Sequence, residues 1–228
     1  MKSYGQYCPI AKSVEVLGER WSILLLRELL IGSTRFNDIA RGLPGMSRTM
    51  LSKRLREFES AELVERLDGE YHLTPAAAEL RGFVFGLGQW GEQWLLAEPQ
   101  PEEIDPMSLF WHAHARFDTS ELPDRRVVIG FELTDRPDRF WVVIDTIGCS
   151  VCAADPGFDV DVLVRAEATT LYRVWYHQQD LVQALKNGLI QLEGQPALKR
   201  RMSRVLDLRP PDVLGADASS PRPTWHAG

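Results

Sequence analysis

Five residues, Gly42-Leu43-Pro44-Gly45-Met46, constrain the fold of this chain more than any others. Two glycines and a proline this close together end a helix on either side of them. The stretch from Ser33 to Arg56 therefore reads as two short helices joined by a tight break. Ser47 stands where an N-cap belongs, its hydroxyl oxygen able to accept an amide N–H that the first turn leaves unpaired. Beyond it Met50 or Leu51, Leu55 and Phe58 recur at spacings of three and four, which makes one buried stripe. Arg48, Thr49, Ser52, Lys53 and Arg56 fall between them and point outward. The stretch holds six basic residues (Arg35, Arg41, Arg48, Lys53, Arg54 and Arg56) against one acid, Asp38. A basic, hydroxyl-rich helix presented by a preceding helix through a tight turn has the form needed to enter a DNA major groove. The same pattern also suits a solvated amphipathic helix of any α domain.

Composition limits what such a helix can belong to. At 228 residues the chain has length for one or two packed domains, and a net charge of −6 excludes a wholly basic nucleic-acid coat. Residues 1–98 carry 12 Lys/Arg against 13 Asp/Glu and the remainder 14 against 19, so the positive stretch is a local exception in a neutral half. No basic-then-apolar leader opens the chain and its apolar runs are too short for a span, so a cytoplasmic protein with no membrane partner is expected. Three cysteines, Cys8, Cys149 and Cys152, are too few and too oddly counted for a secreted disulfide framework.

Ahead of the break, Cys8-Pro9 starts a short helix through Leu17, with Pro9 in a first turn that does not need its missing N–H. Glu19 to Leu30 follows as a strongly apolar helix closed by Gly32. After the basic helix, β-prone runs at 63–67 and 70–74 flank Asp68-Gly69, a two-residue hairpin signal. Thr74-Pro75 then caps a long helix to about Leu96, with Leu80, Phe83, Val84, Leu87, Trp90 and Trp94 along one side. Helix, helix, helix–turn–basic helix, hairpin, long helix is the order of a winged helix, the hairpin being the wing.

The run CPIAKSVEVLGERWSILLLRELLIGSTRFNDIARGLPGMSRTMLSKRLREFESAELVERL, with YHLTPAAAEL and GQWGEQW, resembles the HxlR-type winged-helix transcriptional regulators, relatives of the MarR group, over about Cys8 to Trp94. The resemblance implies a homodimer on palindromic double-stranded operator DNA. It makes Ser47, Arg48, Thr49 and Ser52 the base readers, since Arg can pair bidentately with guanine and Thr can offer a methyl to thymine. Lys53, Arg54 and Arg35 become phosphate anchors, which position without specifying. Leu51, Leu55 and Phe58 belong to the core. Dimer contacts are implied on the first helix and on the helix after the wing, where Phe83, Leu87, Trp90 and Trp94 supply apolar surface that an intramolecular core could equally use. The wing departs from the pattern, because its tip Asp68-Gly69-Glu70 is acidic. A wing contact is therefore expected from Arg66 alone, and neutralising Asp68 and Glu70 is expected to tighten DNA binding non-specifically. In some members of this family a cysteine at the Cys-Pro position senses oxidants. Cys8 is thus a redox-sensing candidate, its thiolate favoured at a helix N-terminus, with a small packing residue at the dimer seam as the alternative.

Residues 98–107, acidic and proline-rich without period, read as a linker between a DNA-binding and dimerisation domain (1–97) and a second domain (108–209). Strands are expected at 126–133, 139–146, 148–153, 159–166 and 189–193, helices at 168–176 and 181–187, and a last helix opened by Pro196. From 210 to 228 the tail has a disordered composition. Strands followed by helices give an α+β domain with a mainly antiparallel sheet covered by helices. Asp159-x-Asp-Val-x-Val-x-Ala, Asp180-Leu-x-x-Ala-Leu-x-x-Gly and Leu189-Ile-x-Leu-x-Gly are similar to the sterol-carrier-protein-like fold. That resemblance implies an apolar cavity between sheet and helices for a hydrophobic small-molecule effector; a filled core is the alternative. No nucleophile elbow, P-loop or His-Glu-x-x-His run is present, so no catalytic residue is assigned and no enzyme activity or cofactor is expected. Cys149-x-x-Cys152 is half a metal site, but residues three apart on a strand face opposite ways, so no metal centre is assigned even with His112 and His114 nearby in sequence. Together these readings describe a dimeric regulator under effector control. A lipid-like carrier whose winged helix makes only protein contacts is the rival.

Overall fold

The computed structural model describes residues 3–95, 99–114, 116–146 and 148–208, and these divide into two compact units at residues 96 and 97. The N-terminal unit runs α1 (Pro9–Leu17), α2 (Ser22–Leu30), α3 (Phe36–Arg41), α4 (Arg48–Ser60), β1 (Val64–Leu67), β2 (Glu70–Leu73), α5 (Pro75–Ala78) and α6 (Arg81–Trp94). Its core joins Leu25, Leu26 and Leu29 of α2 to Ile39 and to Leu51, Leu55 and Phe58 of α4. The last three are each 1% exposed, so the stripe seen in the sequence is the face that seats α4.

Two details set the angle of α4. Trp21 lies in the left-handed region at φ 79°, which is why α2 starts at Ser22 and not at Glu19. Its indole reaches the turn before α4, where a Cβ built on Gly45 would stand 3.8 Å from the ring. Glu28, fully buried on α2, is held by Arg27, whose Nη2 also donates to the Gly42 carbonyl at 3.0 Å. A Cβ on Gly42 would fall 1.8 Å from the Glu28 carboxylate, so any larger residue at this crossing of α2 and the break must push that buried group aside. The hairpin of β1 and β2 is antiparallel, Val64 opposite Leu73, and turns through Asp68 (φ 52°) and Gly69 (φ 85°), the pair of positive angles a tight hairpin needs. Thr74 caps α5 by accepting from Ala77 N–H, but the single long helix expected beyond it is interrupted between Ala78 and Arg81.

The C-terminal unit contains a 3-10 turn (Pro101–Glu103), α7 (Pro106–His114), β3 (Val127–Leu133), β4 (Arg139–Asp145), β5 (Gly148–Cys152), β6 (Val162–Ala166), α8 (Ala168–Trp175), α9 (Leu181–Lys186), β7 (Ile190–Gly194), α10 (Pro196–Lys199) and α11 (Met202–Val205). The sheet order is β5-β4-β3-β6-β7, antiparallel except for β3 with β6. This is the mainly antiparallel α+β arrangement that the sequence implied. β6 starts three residues later than expected because Asp161 turns aside, its carboxylate accepting from Val128 N–H and Arg125, each at 2.9 Å. The segment expected to be a linker is partly structured: Ile104 is buried in the core, Arg136 donates to the carbonyls of Ile104 and Pro101, and α7 begins at Pro106. The tail expected to be disordered from Pro210 lies outside the described residues.

Where an apolar cavity is expected between sheet and helices, the described residues place packed aromatic side chains. Phe110 of α7 stacks on Phe140 at 4.4 Å and meets Trp175 edge-on at 5.1 Å and Phe131 at 4.8 Å, all four almost wholly buried. The opposite face of the sheet bears a groove of 440 Å³ lined by Gly130, Trp141, Val160 and Leu163, with Glu132 and Arg139 beside them.

Candidate nucleic-acid interface

The N-terminal turn of α4 is the most exposed polar surface on that helix. Ser47 is its N-cap and accepts from Met50 N–H at 3.2 Å, which uses one lone pair of its oxygen and leaves the hydroxyl's O–H to donate at the surface. Arg48 and Thr49 are exposed and Ser52 is half-buried on the same side. Arg48 rests its guanidinium 5.7 Å above the Phe36 ring and donates to Asn37 Oδ1 at 2.9 Å. It is thus held by α3 with part of its donor fork still available. Lys53 is largely exposed, 3.9 Å from Glu57.

Arg54 is a correction to the set of phosphate anchors. It is buried, its side chain 8% exposed, and donates to Glu19 at 2.9 Å, to the Arg20 carbonyl at 3.2 Å and to Glu57. The 3.6 periodicity explains this: Arg54 precedes Leu55 and lies three after Leu51, on the flank of the buried stripe. Arg35 is exposed at the start of α3 but engaged, its Nε donating to Glu70 Oε1 at 2.8 Å. Glu70 also accepts from Thr34 Oγ1 at 2.9 Å. The paired guanidinium and the hydroxyl hold this carboxyl below the usual carboxylate range, so it stays ionised, and its charge is offset by Arg35 and not by protonation. Arg66 is exposed on the wing, 5.5 Å above the Tyr71 ring.

Along α6, Phe83 (54% exposed), Leu87, Trp90 and Trp94 (67%) follow at intervals of four, three and four, one uncovered apolar stripe. On α1, Ile10 and Val14 are likewise exposed, and Cys8 is the half-buried N-cap with a free thiol. In the other unit Cys149 lies opposite Ile144 on the core side of the sheet and Cys152 opposite Trp141 on the other, so the two thiols diverge. Burial and the nearby Asp145 push the Cys149 thiol up to about 12. On α7, His112 Nδ1 lies 3.3 Å from Ser108 Oγ, and His114 Nδ1 meets the Trp111 carbonyl.

Residues 16–99 match the profile of the HxlR-like helix-turn-helix family. Among the relatives, YvaP of Bacillus subtilis, an HTH-type transcriptional regulator, is 34% identical over 98 residues, which are 40% of this chain and 91% of YvaP. The chain belongs to the HxlR-like helix-turn-helix family. An HTH-type transcriptional regulator of Mycobacterium bovis is 38% identical over 100 residues, 41% of this chain; the match spans 61% of that relative's length. The quinone-bound form of YodB from Bacillus subtilis is 34% identical, covering 38% of this chain and 100% of that one, with a TM-score of 0.36. Residues 122–207 match the SCP-2 sterol transfer family, as the strand and helix motifs of the C-terminal half implied. The HxlR-like match starts after Cys8, so the Cys-Pro position lies outside it. Sequence reasoning missed two things that position the interface. The Glu28–Gly42 contact carries no sequence signal beyond an acid inside an apolar run. The Arg35–Glu70 pair joins residues 35 positions apart with no motif between them.

Proposed function

We propose that this HxlR-like protein is a dimeric, sequence-specific DNA-binding regulator, with α4 as the reading helix and the α1 and α6 apolar faces as the dimer seam. The observation that carries the reading is the division of α4. Its apolar stripe is fully buried while Ser47, Arg48 and Thr49 stand together at the surface on its first turn. In helix-turn-helix proteins the residues at the start of the second helix are the ones that meet base edges. The α6 stripe supports a partner, because contiguous apolar surface rimmed by polar residues marks contact sites. Base reading falls to Ser47, Arg48, Thr49 and Ser52, and phosphate positioning to Lys53 and Arg66.

An apolar effector in the C-terminal unit is the second part of the proposal. With the sheet–helix layer filled by Phe110, Phe140 and Trp175, the groove beside Trp141 is the place for it. Quenching of tryptophan fluorescence by a fatty acid or sterol should disappear in Trp141→Phe; quenching that persists puts the ligand elsewhere.

The deciding experiment is binding to the DNA upstream of the protein's own gene, with a random duplex as control, over a salt series. A preference for the promoter that survives physiological salt supports a regulator, and Arg48→Ala with Lys53→Ala should abolish it. Equal, steeply salt-dependent binding to both duplexes refutes sequence-specific reading. Unchanged behaviour in the double variant would favour the carrier alternative. For Cys8, a Cys8→Ser variant whose DNA binding responds to oxidant as wild type does removes that residue from a sensing role.

A further inference from the structure

The wing is tied to the start of α3 by three bonds. Tyr71 N–H donates to the Thr34 carbonyl at 2.8 Å, Thr34 Oγ1 donates to Glu70 Oε2 at 2.9 Å, and Arg35 Nε donates to Glu70 Oε1 at 2.8 Å. His72 Nε2 lies 3.9 Å from Glu70 Oε2 on the same strand. In a helix-turn-helix the helix before the reading helix crosses the phosphate backbone, and here that helix is α3, to whose start the wing is bonded. Arg35 therefore occupies a phosphate-anchor position, yet a carboxylate from the wing already neutralises it.

We infer that Glu70 is an affinity-determining residue: it cancels the charge of Arg35 at the DNA face, so that the pair releases no net counterion when the protein docks. This rests on the DNA-binding reading above. The physics is a competition for one guanidinium. A phosphate that takes Arg35 must either displace Glu70 or sit beside its negative charge, and both outcomes remove the gain that an unpaired arginine gives. The sequence-independent part of binding is set by the number of phosphates neutralised, so Glu70 subtracts from the term that operator and random DNA share. What remains is carried by the base-facing turn of α4. The role of Asp68 is different. It stands exposed on the turn, φ 52°, and any effect it has on phosphate acts through space and not through Arg35.

The test uses the full-length protein with Glu70→Gln, Arg35→Ala and both together, on the promoter duplex and on a random duplex. Glutamine keeps an acceptor for Thr34 and Arg35, and thermal unfolding checks that each variant is folded. Glu70→Gln should steepen the log–log salt slope by about 0.9 for each protomer bound, on both duplexes alike. Per protomer that is a roughly 3.5-fold greater loss of affinity between about 50 and 200 mM salt. Arg35→Ala alone should change the slope by far less, and the double variant should return to the wild-type slope. Asp68→Asn should act equally with or without Arg35. An unchanged slope in Glu70→Gln, weaker binding in that variant, or a full 0.9 loss in Arg35→Ala overturns the inference, the last two because Glu70 would then be orienting Arg35 onto phosphate. If wild type binds neither duplex, the DNA-binding reading itself falls, an outcome separate from wild type binding with slopes indifferent to Glu70.

Discussion

Arg54 separates architecture from recognition on a single helix, and its replacement gives a sharp prediction. Its guanidinium is 8% exposed and binds the Glu19 carboxylate, the Glu57 carboxylate and the Arg20 carbonyl, joining α4 to the segment before α2. Hydrogen bonds to charged groups contribute about 1.5–3 kcal/mol each when well buried. Glu19 is half exposed and Glu57 one-third exposed, so both rehydrate when abandoned and the upper end does not apply. Adding the lost packing of the arginine stem, Arg54→Ala should cost about 2–3 kcal/mol. For a unit of this size that lowers Tm by about 8–24 °C. Arg54→Lys should recover less than half of the loss, because one ammonium cannot reach three acceptors. The assay is thermal unfolding by circular dichroism at fixed protein concentration, since association shifts Tm. The reasoning is refuted if Arg54→Ala unfolds within about 2 °C of wild type while losing DNA affinity and salt slope as Lys53→Ala does. That pattern would restore Arg54 as a phosphate anchor.

Three further outcomes follow from the same structure. Gly42→Ala puts a methyl where the buried Glu28 carboxylate sits, 1.8 Å away, and must break its pair with Arg27; a loss of about 2–4 kcal/mol in urea unfolding is expected, and an unchanged midpoint would contradict it. Glu70 has its carboxyl held low by Arg35 and Thr34, so its contribution is present above the usual carboxylate range and lost as pH falls through the lowered value; Glu70→Gln should flatten that acid limb of stability and leave the alkaline side alone, which unfolding midpoints measured from pH 3 to 8 would show. Cys149 is half-buried with its thiol pushed up to about 12, so it should alkylate far more slowly at pH 8 in the native protein than after unfolding, and labelling as fast as Cys8 in peptide mass spectra would contradict this.

The N-terminal unit was legible because its signals are local. A cap serine, a Gly/Pro break, an Asp-Gly hairpin and a period of 3.6 each act over a few residues, and all four appear where the sequence places them. Arg54 was misread because a basic residue beside a buried stripe looks the same in sequence whether it turns outward or folds back onto carboxylates. The apolar run after the wing was legible as a helix with an apolar side. Only the fold shows that Val84 alone of that side is buried and that Phe83, Leu87, Trp90 and Trp94 stay uncovered. In the C-terminal unit the strands were found through their β-branched runs. α7 was hidden by the prolines and acids around it, although Asp105 caps it by accepting from Ser108 N–H at 2.9 Å, a signal present in Asp105-Pro106. The filled interior was beyond sequence. Phe110 comes from that overlooked helix, and its stacking on Phe140 is what closes the layer.

The parallel pairing of β3 with β6 carries a consequence for how the chain is made. The helices and strands of the N-terminal unit are all made by Trp94, and β3, β4 and β5 can pair as they emerge. β3 is nevertheless the centre of the sheet, and its second neighbour begins only at Val162. For roughly 1.5–6 s of synthesis, at ordinary translation rates, the strand Val127–Leu133 shows an unsatisfied edge. Such an edge templates aggregation. Chains that stop short of β6 should therefore collect as insoluble material through their C-terminal halves, and nascent chains in that interval are the form of this protein that chaperones must meet.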